Sequence, residues 1–194
     1  MNFTELVEKN RSYRRFDASY EVSIGTLREL VDLARKTATG ANKQPLKYML
    51  SCGPEANARI FETLAWAGAL KEWDGPAESE RPSAYIVILV DKEIRPSGGK
   101  DVGIAAQTIL LGAAERGLGG CMLGSIKRPV LQTALSIPEE LEISLVIALG
   151  KPAEKVVLED AAPGASIDYY RDADDVHHVP KRTLTEILVG QFEE

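Results

Sequence analysis

DVGIAAQTILLGAAERGLGGCMLG, residues 101–124, is the stretch on which the fold turns. Residues 101–117 read as a helix opened by Asp101, apolar almost all round and rich in alanine and glycine. A surface helix carries one apolar stripe, whereas apolar residues on every side signal burial, and small side chains allow close packing. The pattern therefore places this helix at a domain centre or on a dimer axis. GLGGCMLG then leads toward a short helix near Val130–Leu135.

Working outward, AYIVILVD (84–91) is a continuous apolar run of strand residues, the signature of a central strand covered on both faces. LEISLVIALG (141–150) reads as a second buried strand, and a further strand is expected around Tyr48–Cys52. Asn2 with Glu5 forms a capping box ahead of Phe3, Leu6 and Val7. A second helix runs from Ser23, with Leu27, Leu30 and Ala34 on one face, to a stop at Thr39–Gly40. A third is expected over Pro54–Ala69, with Ile60, Phe61 and Leu64 turned inward, and a last one is capped at Thr183 with Glu186. From Lys151 onward, about thirty residues show little periodicity, which suits an arm laid on the surface or on a partner subunit. The mixed element order lacks strict βαβ repetition, so the fold class is α+β. Residues 1–150 are expected to form the core and 151–194 the C-terminal arm.

The chain has 194 residues, 44% hydrophobic and 27% charged, the balance of a globular protein. Its net charge of −6 argues against nucleic-acid or membrane-surface binding, which need a basic face. Cys52 and Cys121 stand far apart without a CxxC, so neither a zinc site nor a disulfide framework is indicated. MNFTELVEKN has no apolar h-region, and no run approaches the ~20 apolar residues of a membrane span. A cytoplasmic protein is expected.

The familiar chemical signatures are missing. GLGGCM has Met122 where a dinucleotide fingerprint needs a small residue, and it follows a helix rather than opening one. SGGKD lacks the spacing of a phosphate-binding loop, and LGSIK lacks the second glycine of a nucleophile elbow. His177 and His178 are adjacent, with no ligand at a recurrent metal spacing, so no metal is expected. An enzyme built on this chain would draw its chemistry from a bound cofactor.

Against the acidic background, NRSYRRFD (10–17) gathers Arg11, Ser12, Arg14 and Arg15, and PKR near the other end adds Lys181 and Arg182. Forked guanidinium donors beside a hydroxyl suit a phosphate, although a solvated loop is the simpler reading of either group alone. In the loop ANKQP, Asn42 and Gln44 can each donate and accept, which suits the mixed edge of a heteroaromatic ring; turn chemistry before Pro45 is the alternative.

RSYRRF, TGANKQP, ERGLGGCMLG and PKR, in this order across nearly the whole chain, resemble the nitroreductase family of FMN-dependent oxidoreductases. The resemblance implies an α/β/α sandwich with a central, mostly antiparallel sheet, an extended C-terminal arm, and a homodimer with FMN at the interface. It also implies two-electron reduction of nitroaromatic, quinone-like or other electron-poor small molecules by NADH or NADPH in a ping-pong cycle. Carried over by position, Arg11, Ser12 and Arg14 would hold the FMN phosphate and the polar edge of the ring, with Arg14 the cation near N1. Asn42 and Gln44 match the loop bordering the ring and ribityl chain, and Leu123 and Gly124 the backbone facing flavin N5. Lys181 and Arg182 match a terminal basic pair on the phosphate. Asn10 replaces the family's usual arginine and Leu46 stands where tryptophan is common, while Arg15 stays open.

Residues 66–83 are less typical: Trp66, Leu70, Lys71 and Trp73 either line the substrate side of the flavin or, for Trp66, join the core. Tyr169, Tyr170 and Arg171 are better explained by dimer packing than by chemistry. Two other functions stay open at this point: a flavin-binding sensor or carrier without turnover, and a phosphoanion-binding module without flavin.

Overall fold

The computed structural model describes residues 1–193. The N-terminal capping box forms: the Asn2 side chain accepts the Glu5 N–H at 3.0 Å, and the Glu5 carboxylate accepts the Asn2 N–H at 2.9 Å, opening α1 (Phe3–Lys9). There follow β1 (Phe16–Asp17), α2 (Ile24–Ala34), β2 (Leu46–Ser51), α3 (Pro54–Phe61), β3 (Ala84–Asp91) and α4 (Gly99–Glu115). Then come β4 (Gly119–Leu123), α5 (Arg128–Ala134) and β5 (Leu141–Pro152). The chain continues through β6 (Val156–Asp160), β7 (Tyr170–Arg171), β8 (His177–Lys181) and α6 (Leu184–Ile187).

The chain divides into two compact units. The first comprises Met1–Trp66 and Asp74–Ala153; the second comprises Ala67–Trp73 and the chain from Glu154 onward.

The first unit is an α/β/α sandwich around a five-stranded sheet, antiparallel throughout. β3 lies between β2 and β5, and the far side of β5 carries β4 along Val146–Gly150 and β1 at Lys151–Pro152. As its unbroken apolar run requires, β3 is buried on both faces. Ile86 and Ile88 pack with Leu27 and Leu30 of α2 and with Ile109 and Ala113 of α4. Tyr85 points the other way, toward Asn57 and Phe61 of α3. Burying a leucine- or isoleucine-sized side chain contributes about 1.5–3 kcal/mol, so this alternation is what commits the two helical layers to opposite faces.

Several helix boundaries depart from the periodicity. α2 ends at Ala34, well before Gly40, and the Thr37 hydroxyl donates to the Ala34 carbonyl at 2.7 Å. α3 stops at Phe61 rather than Ala69, with the Thr63 hydroxyl taking the Ile60 carbonyl at 2.7 Å. In both places a hydroxyl satisfies a carbonyl that a continuing helix would use. α4 starts at Gly99, and within one chain it is not buried on every side: Ile104 is 41% exposed and Gln107 lies beside it on the open face. α1 buries no residue, leaving Phe3 and Val7 exposed.

In the second unit, the segment without periodicity carries three short strands, β6 parallel to β8 and β7 antiparallel to it. They are too short to leave a pattern in sequence. Arg171 pairs with the buried Glu154 at 2.8 Å and lies over the Trp73 ring at 4.7 Å. Tyr170 stacks on His178 at 4.8 Å, and Tyr169 packs on His177 at 5.3 Å. Among the described residues, no helix is long and apolar enough to cross a membrane.

Candidate functional site

Two of the stretches singled out in the sequence meet in the first unit. The chain leaving α1 runs alongside β4: Ser12 bridges to Gly120, and the Tyr13 N–H donates to the Gly120 carbonyl at 3.0 Å. The glycines of β4 make this approach possible. A Cβ on Gly119 would strike the Tyr13 ring and Pro152, and one on Gly120 would meet the Ala148 carbonyl at 2.5 Å and Leu110 at 2.6 Å. GLGG is thus a close-packing device, where β4 is pressed between α4 and the arginine-bearing segment.

The arginines of that segment take different roles. Arg11 turns back on α1, its Nη2 donating to the Val7 carbonyl at 2.6 Å, while its Nε is buried without a hydrogen-bond partner. Burial lowers its pKa from the ordinary arginine value, with Tyr13 and Glu8 opposing the shift, so an anion placed against it would be welcome. Arg14 curls over its own segment, its Nη1 donating to the Ser12 carbonyl at 3.4 Å. The Ser12 side chain is exposed. Arg15 is drawn to Glu80, with 3.5 Å between Nε and the carboxylate. Asn10 closes α1, its N–H bonded to the Leu6 carbonyl.

The second cluster is the loop before β2. Ala41, Asn42 and Gln44 all adopt left-handed backbone, with φ of 51°, 53° and 52°. Non-glycine residues pay about 1–2 kcal/mol each for this conformation, asparagine least, so something must hold the loop. Asp101, 4% exposed at the start of α4, accepts the Gly40 N–H at 2.9 Å, and Arg95 lies 3.8 Å from its other oxygen. The Gln44 amide donates to the Asn42 side-chain oxygen at 3.2 Å, leaving both side chains exposed at one place.

β4 ends at buried Leu123, followed by exposed Gly124, where a Cβ would meet nothing within 4 Å. Arg128 fixes this turn: its guanidinium donates to the carbonyls of Gly124 at 3.3 Å, Ile143 at 2.9 Å and Ser144 at 3.3 Å. Ser144 is the extra residue of a register shift between β3 and β5, so one side chain satisfies both the bulge and the turn.

In the second unit, Lys181 ends β8, and Arg182 pairs with Glu186 at 2.7 Å. Trp66 belongs to the core of the first unit, 8% exposed and packed on Phe61 with ring centroids 5.7 Å apart. Among the described residues, no group of histidine, cysteine or acidic side chains could hold a metal ion.

The roles of Asp101 at the Gly40 loop and of Arg128 at the Gly124 turn are not read from the sequence. Asp101 carried a signal, being an acid in the first turn of an otherwise apolar helix. Arg128 carried none, since carbonyl acceptors leave no trace in composition.

The donor set fits a phosphorylated heteroaromatic cofactor: guanidinium and hydroxyl groups beside a glycine strand, a buried Nε without a partner, and two exposed amides on a held loop. A Streptococcus pneumoniae nitroreductase family protein superposes with a TM-score of 0.70 at 15% identity, covering 98% of this chain and all of that one, 100%. An FMN-dependent nitroreductase from Clostridium difficile gives 0.64 at 20% identity, over 79% of this chain and 89% of that one. A protein from Exiguobacterium sibiricum, solved in complex with FMN, gives 0.67 at 15% identity, over 79% and 90%. At these identities the likeness establishes the fold. The model of the nitroreductase family matches residues 7–151, which include the last turn of α1, the arginine segment, the left-handed loop and β4. The chain belongs to the nitroreductase family.

Proposed function

We propose that the protein is an FMN-dependent oxidoreductase, taking electrons from NADH or NADPH and reducing nitroaromatic, quinone-like or other electron-poor small molecules. The observation that carries this reading is the seating of Arg11–Arg14 against β4 through the Ser12–Gly120 bridge. It sets phosphate-type donors beside the strand that ends at Leu123–Gly124.

FMN supplies the two-electron chemistry when bound; the chain's own residues bind it and shape its surroundings. Arg11 and Ser12 offer donors to a phosphate, and the unpartnered Nε of Arg11 gains a bond it lacks. Arg14 provides a fixed positive charge, which favours a ring that gains negative charge on reduction. Asn42 and Gln44 present amides able to meet both donors and acceptors on a ring edge. The backbone at Leu123 and Gly124, held by Arg128, would border the reacting side of the ring, and Leu123 would make that wall apolar. Lys181 and Arg182 enter as phosphate contacts on the resemblance of PKR.

A homodimer is part of the proposal. The open faces of α1, with Phe3 and Val7, and of α4, with Ile104, are apolar surface that a second copy would cover.

The test is direct. The purified protein is expected to be yellow, to release FMN on acid treatment, and to bleach when NADH or NADPH is added without oxygen. A colourless protein that cannot be reconstituted with FMN would sink the flavin reading. A yellow protein bleached by neither nicotinamide would leave a flavin carrier instead of an enzyme.

A further inference from the structure

We infer that the first unit carries a second small-molecule site, for a monoanionic carboxylate with a flat apolar body, built on Arg81, Phe61, Ser83 and Tyr85. The residues proposed for FMN take no part in it, and the inference does not rest on the flavin reading.

The site is a cavity of about 610 Å³ where the start of α2, the β2–α3 connection and the start of β3 come together. That volume is in the range of small-ligand pockets. Val22, Pro54, Ala58 and Pro82 give it an apolar lining. The Arg81 guanidinium lies over the Phe61 ring, 4.2 Å from its centroid, and forms no ion pair among the described residues. Stacking orders the guanidinium while leaving its N–H groups in the plane of the fork, where they can meet a carboxylate.

Two more donors stand in the same wall. Ser83 Oγ is buried without a hydrogen-bond partner. Tyr85 is 1% exposed, and burial raises its pKa, so its phenol stays a neutral donor; Arg81 is the charge that acts on it. A buried hydroxyl left unbonded costs about 1–3 kcal/mol, so Ser83 is a group that a ligand oxygen would satisfy. Asn57, in contrast, is engaged through both its oxygen and its nitrogen: it accepts the Ser51 hydroxyl at 2.7 Å and donates to the Ser83 carbonyl at 2.8 Å. It holds the start of β3, where Ser83 and Tyr85 line the cavity, in place.

The cavity's other charges set the ligand's valence. Glu21 and Glu78 line the same cavity, so it carries one cation against two carboxylates. One negative charge on the ligand is met by Arg81 against the repulsion of both acids, whereas the second charge of a phosphate monoester would raise that repulsion with no further cation to meet it. The aromatic and proline walls favour a planar body over a sugar.

The test uses the full-length protein with sodium benzoate as probe and inorganic phosphate as the contrast, followed by calorimetry and by the fluorescence of the tryptophans, Trp66 being packed on Phe61. Benzoate is expected to bind saturably, with one site per chain and a Kd below about 1 mM. Phosphate at the same concentrations should not displace it. Arg81→Gln, at an exposed position, should weaken benzoate at least about tenfold, and Ser83→Ala about threefold, with unchanged melting of the protein. Benzoate affinity should be the same with FMN bound and with FMN removed. Absence of saturable binding up to about 10 mM, equal binding by Arg81→Gln, displacement by phosphate, or competition with FMN would each overturn the assignment.

Discussion

Replacing Asp101 with alanine tests whether a buried carboxylate governs the loop that bears Asn42 and Gln44. The Gly40 N–H donates to this carboxylate at 2.9 Å, and a hydrogen bond to a charged acceptor contributes about 1.5–3 kcal/mol. Arg95, 3.8 Å from the other oxygen with its side chain 43% exposed, adds less than about 1 kcal/mol. Opposing them are three left-handed non-glycine residues at about 1–2 kcal/mol each. With the anchor gone, only the loop's own hydrogen bonds, such as that from the Asn42 N–H to the Thr39 carbonyl at 2.9 Å, oppose that strain, and the loop should leave its native form by about 2–3 kcal/mol, a factor of about 30–150 in population. If Asn42 and Gln44 touch FMN, the Kd for FMN, read by quenching of flavin fluorescence, should rise by up to the same factor. Asp101→Asn keeps an acceptor oxygen and should lose about half as much free energy, about tenfold in Kd. Hydrogen exchange at Gly40 reports the loop independently of any ligand and should accelerate in both variants. An unchanged exchange rate at Gly40 in Asp101→Ala would refute the anchoring. Faster exchange with FMN affinity within about threefold of wild type would detach the loop from the cofactor.

Other expectations follow from the same geometry. Arg14→Ala should lose flavin or lower its reduction potential, whereas Arg15→Ala, whose wild-type side chain is drawn to Glu80, should leave both unchanged; equal losses in the two would remove the distinction drawn between these arginines. Gly120→Ala places a methyl 2.5 Å from the Ala148 carbonyl, which should cost about 1–3 kcal/mol of overpacking and lower Tm by at least about 3 °C, readable by calorimetry. In the second unit, hydrogen bonds to the carboxylates of Asp172 and then Glu159 raise the pKa of His178, and the same histidine lowers that of Asp172. The histidine's contribution is complete below its ordinary 6.5 and lost as pH rises through the raised value; that of Asp172 is present above 3.8 and lost as pH falls through the lowered one. Melting of this unit should therefore be highest between about pH 4 and 6.5 and decline above it, and His178→Gln should flatten the upper limb.

Much of this architecture was legible because it rests on local rules. The Asn2–Glu5 box, the Ser23 and Thr183 caps and the apolar run 84–91 each encode an element through neighbours in sequence, and each element forms there. Boundaries set by a side-chain hydroxyl, as at Thr37 and Thr63, were not legible, since the competing hydrogen bond depends on the backbone it ends. The same distinction runs through the candidate site. Arginine and serine types pointed to anion chemistry, but that Arg15 turns to Glu80, or that Asp101 reaches back to Gly40, depends on contacts between residues about 60 positions apart. β4 was hidden too, because GGCML carries a turn's composition and becomes a strand only by pairing with β5.

The bond from Tyr13 to Gly120 has a consequence beyond the site. A sheet margin exposes a row of unpaired peptide groups on which another chain can grow. Through β4, the main sheet's margin beyond β5 is shielded by the same backbone that bears Arg11 and Arg14. Losing that segment's grip would therefore uncover an adhesive strand as well as a binding surface. Variants loosened between residues 10 and 15 should first show themselves as protein that clumps on expression, and co-expression with abundant cofactor would be the remedy to try.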